Sequence, residues 1–320
     1  MPRTSSLRPL LREGQGALKN AVPRAWWRGL KRLRSKSTGV PLSALDAHLE
    51  TVAAAFARSQ DEGRHALSSF HLELGELELP RDPHSAAYRD AQLKLYERIS
   101  GRTHALEYER SAIDVEAATS RPYPYLTGST AETGEQWVAI GWLLKSLGRD
   151  PPGHVLEFGP GWGHTTLALA TLGFDVTAVD ADPDFLELIS RRAGAARERL
   201  TLVPGDMLTF EPKRPADVVL FFESFHHCSD PLRLLARLEK LIAPGGRVIF
   251  AAEPIDDFEL PWGVRLDGQS VWAMRRYGWL ELGFETGFFL ETLRGLGWNA
   301  VRSRSFAASP LADVIVCTRG

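Results

Sequence analysis

A chain of 320 residues that is 44% hydrophobic and carries a net charge of −2 has room for one catalytic domain of about 170 to 200 residues plus a smaller unit. No run approaches the roughly 18 apolar residues of a membrane span, and the first residues lack the apolar core of a secretory signal, so the sequence reads as a soluble globular protein. Its two cysteines, Cys228 and Cys317, form no metal spacing, which makes a reducing cytoplasm the simplest compartment.

The even charge balance hides a basic leader. Residues 1–36 hold ten Lys or Arg against one acid, Glu13. Val22, Trp26, Leu30 and Leu33 are spaced by four, four and three, with Trp27 alongside. On a helix this gives an apolar stripe edged with Trp under a cationic face, the composition of a segment that lies on an anionic membrane. A solvated basic tail, a nucleic-acid arm and an organelle transit peptide share the same charge, and the paired Trp favours the membrane surface at the inner face.

Residues 38–150 read as a mostly helical region. Leu42, Leu45, Leu49, Val52 and Phe56 alternate three and four apart, a stripe two heptads long that suits a helix docked on its own domain. Tyr88, Ala91, Leu95 and Ile99 form a second stripe. Thr133-Gly134-Glu135-Gln136 fits a capping box that opens a third helix through Trp137, Ile140, Leu144 and Leu147, ended by Gly148. Between the second and third helices, Arg121-Pro122-Tyr123-Pro124-Tyr125-Leu126-Thr127 is a rigid aromatic loop, with Tyr125 a candidate for closing over a ligand.

The densest signal is HVLEFGPGWGHTTLALA at residues 154–170. Val155, Leu156 and Phe158 are strand material, Gly159-Pro160-Gly161-Trp162-Gly163 is a turn that exposes bare backbone, and Thr165 to Leu172 is a helix closed by Gly173. The glycines follow G-x-G-x-G instead of the G-x-G-x-x-G of a dinucleotide fold, and Glu157 before them would repel a diphosphate and attract a cation. Strand Asp175 to Val179 ends in Asp180, placed for ribose hydroxyls. Leu200 to Val203 leads to Asp206 and Met207, an acid and an apolar side chain suited to an adenine amino group and face. Asp217 to Phe222 is a further strand, ending in Glu223, and Leu241-Ile242-Ala243-Pro244-Gly245-Gly246 precedes a fifth.

In these motifs, over roughly its C-terminal half, the chain resembles the class I S-adenosylmethionine-dependent methyltransferases. The resemblance implies an α/β, Rossmann-like fold with a seven-stranded sheet and an antiparallel last strand, here covering residues 151–320. It also implies S-adenosylmethionine as cofactor. Glu157, Gly159, Gly161 and Gly163 match the turn that holds the cofactor's amino acid part, Asp180 the ribose acid, Asp206 and Met207 the adenine site, and Glu223 the end of the fourth strand.

Phe222-Glu223-Ser224-Phe225-His226-His227-Cys228-Ser229-Asp230-Pro231 sits where open α/β sheets present reactive groups, and Asp230-Pro231 caps the next helix. Methyl transfer from a sulfonium is an in-line displacement that needs alignment and a base for the acceptor proton. An imidazole ordinarily titrates near pH 6.5 and suits a hydroxyl acceptor. Adjacent residues in extended chain point opposite ways, so one histidine faces the acceptor, His227 ahead of His226. Both filling a loop is the plain alternative. A metal on His226, His227 and Asp230 lacks the usual ligand spacing, so no metal is expected. Glu253 is placed to orient the acceptor or a histidine.

After the fifth strand, residues 255–284 exceed a minimal fold. Trp262, Trp272 and Trp279 accompany Arg265, Arg275 and Arg276, residue types that stack on sugars or bases and grip phosphates or carboxylates. An acceptor platform and the packing of an extra subdomain both fit. This insertion and the upstream PYPYLTGSTAETGEQW segment resemble bacterial methyltransferases of polysaccharide and lipid-linked glycan synthesis. The resulting expectation is an O-methyltransferase of a sugar hydroxyl on a nucleotide sugar or glycan. Lipid, small-metabolite or RNA acceptors and a non-catalytic binding partner stand as alternatives, RNA disfavoured by the charge beyond the leader.

Overall fold

A computed structural model describes residues 37–75, 77–121, 128–304 and 313–319. The leader at 1–36 and Tyr125 lie outside the described residues.

The N-terminal region is helical with one small sheet. Strands β1 (Thr38–Pro41) and β2 (Phe70–Glu73) pair in parallel and are separated by α1 (Leu45–Arg58) and α2 (Gln60–Ser68). The alternating stripe becomes the buried face of α1, at Leu45, Leu49 and Val52. Helix α3 (Ala86–Ser100) buries Tyr88, Leu95 and Ile99 and ends on Gly101 in the left-handed region. A short α4 (Val115–Thr119) follows, then α5 (Thr130–Ser146). Helix α5 starts one turn before the expected box: Ser129 is its cap, its side chain accepting from the Glu132 N–H, while the Glu132 carboxylate pairs with Arg64.

The remaining elements are β3 (His154–Phe158), α6 (His164–Leu172), β4 (Asp175–Asp180), α7 (Pro183–Arg192), β5 (Leu200–Pro204), β6 (Ala216–Phe222), α8 (Pro231–Arg237) and β7 (Ile242–Ala251). Beyond them come β8 (Ile255–Asp256), β9 (Trp262–Val264), α9 (Gly268–Tyr277), β10 (Leu282–Glu285), α10 (Thr286–Gly295), β11 (Trp298–Arg304) and β12 (Asp313–Arg319). Seven strands form one sheet in the order β11-β12-β7-β6-β3-β4-β5. Strands β3 to β7 run parallel and β12 is antiparallel to both its neighbours. This is the expected α/β, Rossmann-like seven-stranded sheet, preceded by a helical region. Ile242-Ala243-Pro244-Gly245-Gly246 is the irregular start of β7 rather than a loop, since Ile242 already pairs with Ala216.

Both sheet faces are covered, which is why the central strands read as continuous apolar runs. Val155, Val218, Leu220 and Ile249 pack with Leu143 of α5, Leu147 at its C-cap and Leu169 of α6. Leu156, Phe158, Phe221 and Phe250 join a larger core that takes in α1, α3 and the insertion. The insertion folds as a three-stranded sheet, β8-β10-β9, with α9 between β9 and β10.

Candidate functional site

The strand order turns back on itself between β3 and β6, and the carboxyl ends there leave a crevice. A cavity of about 290 Å³ fills it, lined by Gly159, Gly161, Asp180, Asp206, Met207, Glu223 and His227 among others. Six of the eight expected cofactor residues therefore converge on one space.

The three glycines of the turn all have positive φ, and they serve different ends. A Cβ on Gly161 would meet nothing within 4 Å, so its backbone is open to a ligand. A Cβ on Gly159 would stand 2.6 Å from the Ser224 Cβ, so this glycine admits the histidine loop. One on Gly163 would stand 2.3 Å from Ile189 Cγ1. Gly163 thus seats α6 on α7 and has no part in lining the cavity, a correction to its expected role.

Glu157 is a second correction. It is wholly buried, and its carboxyl takes hydrogen bonds from the Thr165 and Thr166 hydroxyls at the start of α6. Burial pushes this carboxyl up to about 7, and it has no face on the cavity. The side chain ties strand to helix and is not among the residues that line the cavity. Asp180 fits its expected place at the end of β4. It accepts from the Gly161 N–H at 3.1 Å and the Asp182 N–H at 2.8 Å, and it lines the cavity.

The histidine loop separates its two rings. His226 is buried, its Nδ1 2.7 Å from Glu253 Oε2. Burial, and then the neighbouring His227, pushes the His226 imidazole down to about 3, so the ring is neutral and donates from Nδ1. Glu253 also accepts from the Ser224 and Phe225 N–H groups, each at 2.8 Å. Burial opposes its charge, but His226 and these donors hold the carboxyl below the usual range. Glu253 therefore orients a histidine and fixes the loop. His227 lines the cavity and His226 does not, so His226 is corrected from base to support.

One wall comes from outside the sheet domain. His104, Ala105, Leu106 and Glu109, around a 3-10 turn, line the cavity opposite the strand ends. The Ser111 N–H donates to Asp182 at 2.6 Å, and Ala118 of α4 packs with Trp162 and Phe185, which fastens this segment beside the glycine turn. Glu109 Oε2 stands 3.2 Å from His227 Nδ1 and Oε1 3.5 Å from His104 Nε2. Burial works against the Glu109 charge, but His104 and His227 outweigh it and hold the carboxyl at about 2. No spacing in HALEYER marks these residues; only the fold brings them to the cavity.

The insertion gives the plainest correction. Trp262, Trp272 and Trp279 are among the most deeply buried side chains of the described residues. Trp262 Nε1 donates to the Pro83 carbonyl, Trp272 packs on Phe56 of α1, and Trp279 lies against Tyr277. Arg275 makes two hydrogen bonds to Asp46, and Arg276 pairs with Glu50 while lying over Trp272. Arg265 is held by Asp267 and Glu281. None of the six lines the cavity. Trp262, Trp272, Arg275 and Arg276 join the insertion to the N-terminal region, while Arg265 and Trp279 have partners within the insertion.

His226, His227 and Glu281 bring one potential ligand atom each within 4.8 Å of the others. Around one zinc ion, with Zn–N bonds of about 2.0 to 2.1 Å, such atoms stand roughly 3.3 Å apart. The Glu281 oxygen that faces His226 Nε2 at 3.8 Å is also 3.5 Å from Arg265 Nη1. A guanidinium on that carboxylate makes the group an ion-pair network. Asp230 has left the cluster to cap α8 and pair with Arg89.

Residues 156–250 match the family model described as a methyltransferase domain. An uncharacterized methyltransferase of Bacillus subtilis (strain 168), YrrT, is 37% identical over 89 residues, 28% of this chain and 40% of that protein. A ubiquinone biosynthesis O-methyltransferase of Caulobacter sp. (strain K31) is 36% identical over 99 residues, 30% of this chain and 39% of that protein. The chain thus spans about two fifths of the length of these relatives. Among solved structures, DhpI with S-adenosylhomocysteine aligns with a TM-score of 0.49 at 20% identity, covering 67% of this chain and 97% of that one. The glycopeptide N-methyltransferase MtfA aligns at 0.46 and 18%, covering 58% and 90%.

Proposed function

We propose that the chain is an S-adenosylmethionine-dependent O-methyltransferase in which His227 takes the acceptor proton. One observation carries the reading: the open backbone of Gly161, the acids Asp180 and Asp206 and the His227 ring all face one cavity at the sheet's carboxyl edge. The methyltransferase-domain match covers the same strand ends.

Gly159, Gly161, Asp180, Asp206 and Met207 would hold the cofactor, which when bound supplies a sulfonium methyl group. Asp180 would accept from ribose hydroxyls and Asp206 from the adenine amino group. His227 would stand beside the acceptor hydroxyl and take its proton as the new O–C bond forms. The electron pair of the broken C–S bond stays on sulfur, so charge balances. Glu253 keeps the loop rigid under His227, which favours an aligned displacement.

A sugar hydroxyl remains our reading of the acceptor, on two supports: the glycan-enzyme resemblance of the PYPYLTGSTAETGEQW and insertion segments, and cavity walls rich in hydroxyl-binding groups, Glu109, Glu223 and His104. The cavity lining holds no Lys or Arg among the described residues, which favours a neutral glycan over the phosphate-bearing end of a nucleotide sugar. The test is transfer of labelled methyl groups from the cofactor to fractionated glycans, lipids, RNA and small metabolites. Label should enter the glycan fraction, and His227→Ala should cut the rate on the order of 10² to 10⁴. Label in lipids or RNA would move the acceptor class. A His227→Ala rate equal to wild type across pH 6 to 9 would take the base from His227.

A further inference from the structure

We infer that Glu109 is a positioning residue for His227, holding its ring as the Nδ1–H tautomer and leaving the lone pair on Nε2. The inference rests on the reading of His227 as the base. Its geometry stands on its own contacts. Glu109 Oε2 is 3.2 Å from His227 Nδ1, an ion-pair distance short of hydrogen-bond alignment, and neither atom has another hydrogen-bond partner among the described residues; both groups line the same cavity with side chains 9% exposed. An ionised carboxylate only accepts, so the nitrogen beside it must carry the proton. In a neutral imidazole the other nitrogen then keeps the lone pair, and that nitrogen can remove a proton. Acid, imidazole and reacting oxygen in series are the orienting logic of a catalytic triad.

The other charged and titratable groups near the pair leave this role to Glu109. His226 lies 4.2 Å away ring to ring, but its Nδ1 is engaged by Glu253. Glu281 is held by Arg265 and faces His226. Glu223, Asp206 and Cys228 also line the cavity, and burial pushes the Cys228 thiol up. His104 sits on the far oxygen, Oε1.

That far oxygen gives the substitution a directional outcome. Oε1 accepts the Leu280 N–H at 2.8 Å. In Glu109→Gln the amide carbonyl keeps this backbone donor, which turns the NH₂ group toward His227 Nδ1. A donor facing Nδ1 demands the lone pair there, so the proton moves to Nε2. The expected variant is folded but carries the wrong tautomer.

The experiment is long-range ¹H–¹⁵N correlation on the histidine-labelled full chain, with S-adenosylhomocysteine added to saturation. Wild type should show His227 protonated on Nδ1, Glu109→Gln should invert it to Nε2–H, and Glu109→Asp should keep the wild-type form. His226, held by Glu253, should stay Nδ1–H in all three and report an intact fold. The same His227 tautomer in wild type and Glu109→Gln, with His226 unchanged, would overturn the inference. Wild-type His227 protonated on Nε2 would also overturn it. Failure of S-adenosylhomocysteine to bind wild type at all would instead strike the cofactor reading, which separates the two.

Discussion

The glycine turn at residues 159–163 and the tryptophan-rich insertion at 255–284 both look like binding surfaces in the sequence, and the fold treats them in opposite ways. The turn exposes backbone: Gly161 has open space where a Cβ would be, beside Asp180 on the same cavity. The insertion hides its side chains: three indoles are buried and two guanidiniums have acids from α1 as partners. A site made of missing side chains needs only local chain geometry, which the sequence states outright. A site made of Trp and Arg depends on whether partners already exist elsewhere in the chain, and here Asp46, Glu50, Phe56 and Pro83 supply them.

The comparison breaks most visibly at Trp272. If the insertion is packing, Trp272→Ala should destabilise the fold by about 3 to 5 kcal/mol, the usual cost of emptying a large buried aromatic site. Denaturant unfolding followed by intrinsic fluorescence measures it. A fully stable variant that lost only acceptor binding would restore the platform reading.

Asp180 is the matching position on the other side. Asp180→Ala should weaken S-adenosylhomocysteine binding by about 1 to 3 kcal/mol in titration calorimetry, through unmade hydrogen bonds to ribose. Unchanged affinity would remove Asp180 from the site.

Glu157 sharpens the contrast within the turn itself. Burial raises its folded value to about 7 from 4.5, so its contribution to stability is complete below pH 4.5 and is lost as pH rises through about 7. His226 works the other way: depressed from 6.5 to about 3 in the folded chain, it favours folding above pH 6.5 and costs stability as pH falls toward 3. Glu157→Gln should therefore remove the loss on the alkaline side alone, read as melting temperature against pH. Identical pH profiles for variant and wild type would contradict the raised value.

The smallest effect belongs to the insertion's rim. Arg275 pairs with an acid that is 71% exposed, and such pairs contribute about 0.2 to 1 kcal/mol. Arg275→Ala should lower stability within that range and leave cofactor affinity unchanged, in the same unfolding and calorimetry measurements.

How much was legible follows from the same contrast. Asp180 at the end of β4, Asp206 and Glu223 just past β5 and β6, and the Asp230 cap all stand where the sequence puts them, because each is set by residues a few positions apart. The start of α5 moved one turn, from Thr133 to Ser129, because two capping patterns overlap in STAETGEQ and tertiary packing chose between them. Glu109 and His104 were not legible: one of two acids in a short polar stretch becomes a cavity wall only once residues about a hundred positions away fold beside it. Glu157 misled for a related reason, since the Thr165 and Thr166 hydroxyls claim the charge expected to face a ligand.

The most direct measurement is a diffraction structure of the full chain with S-adenosylhomocysteine bound. The ligand should occupy the cavity with its amino acid part over Gly161, its ribose at Asp180 and its adenine at Asp206 and Met207. Its sulfur should point toward His227. Ligand density away from these strand ends, or an empty cavity at saturating ligand, would contradict the assignment.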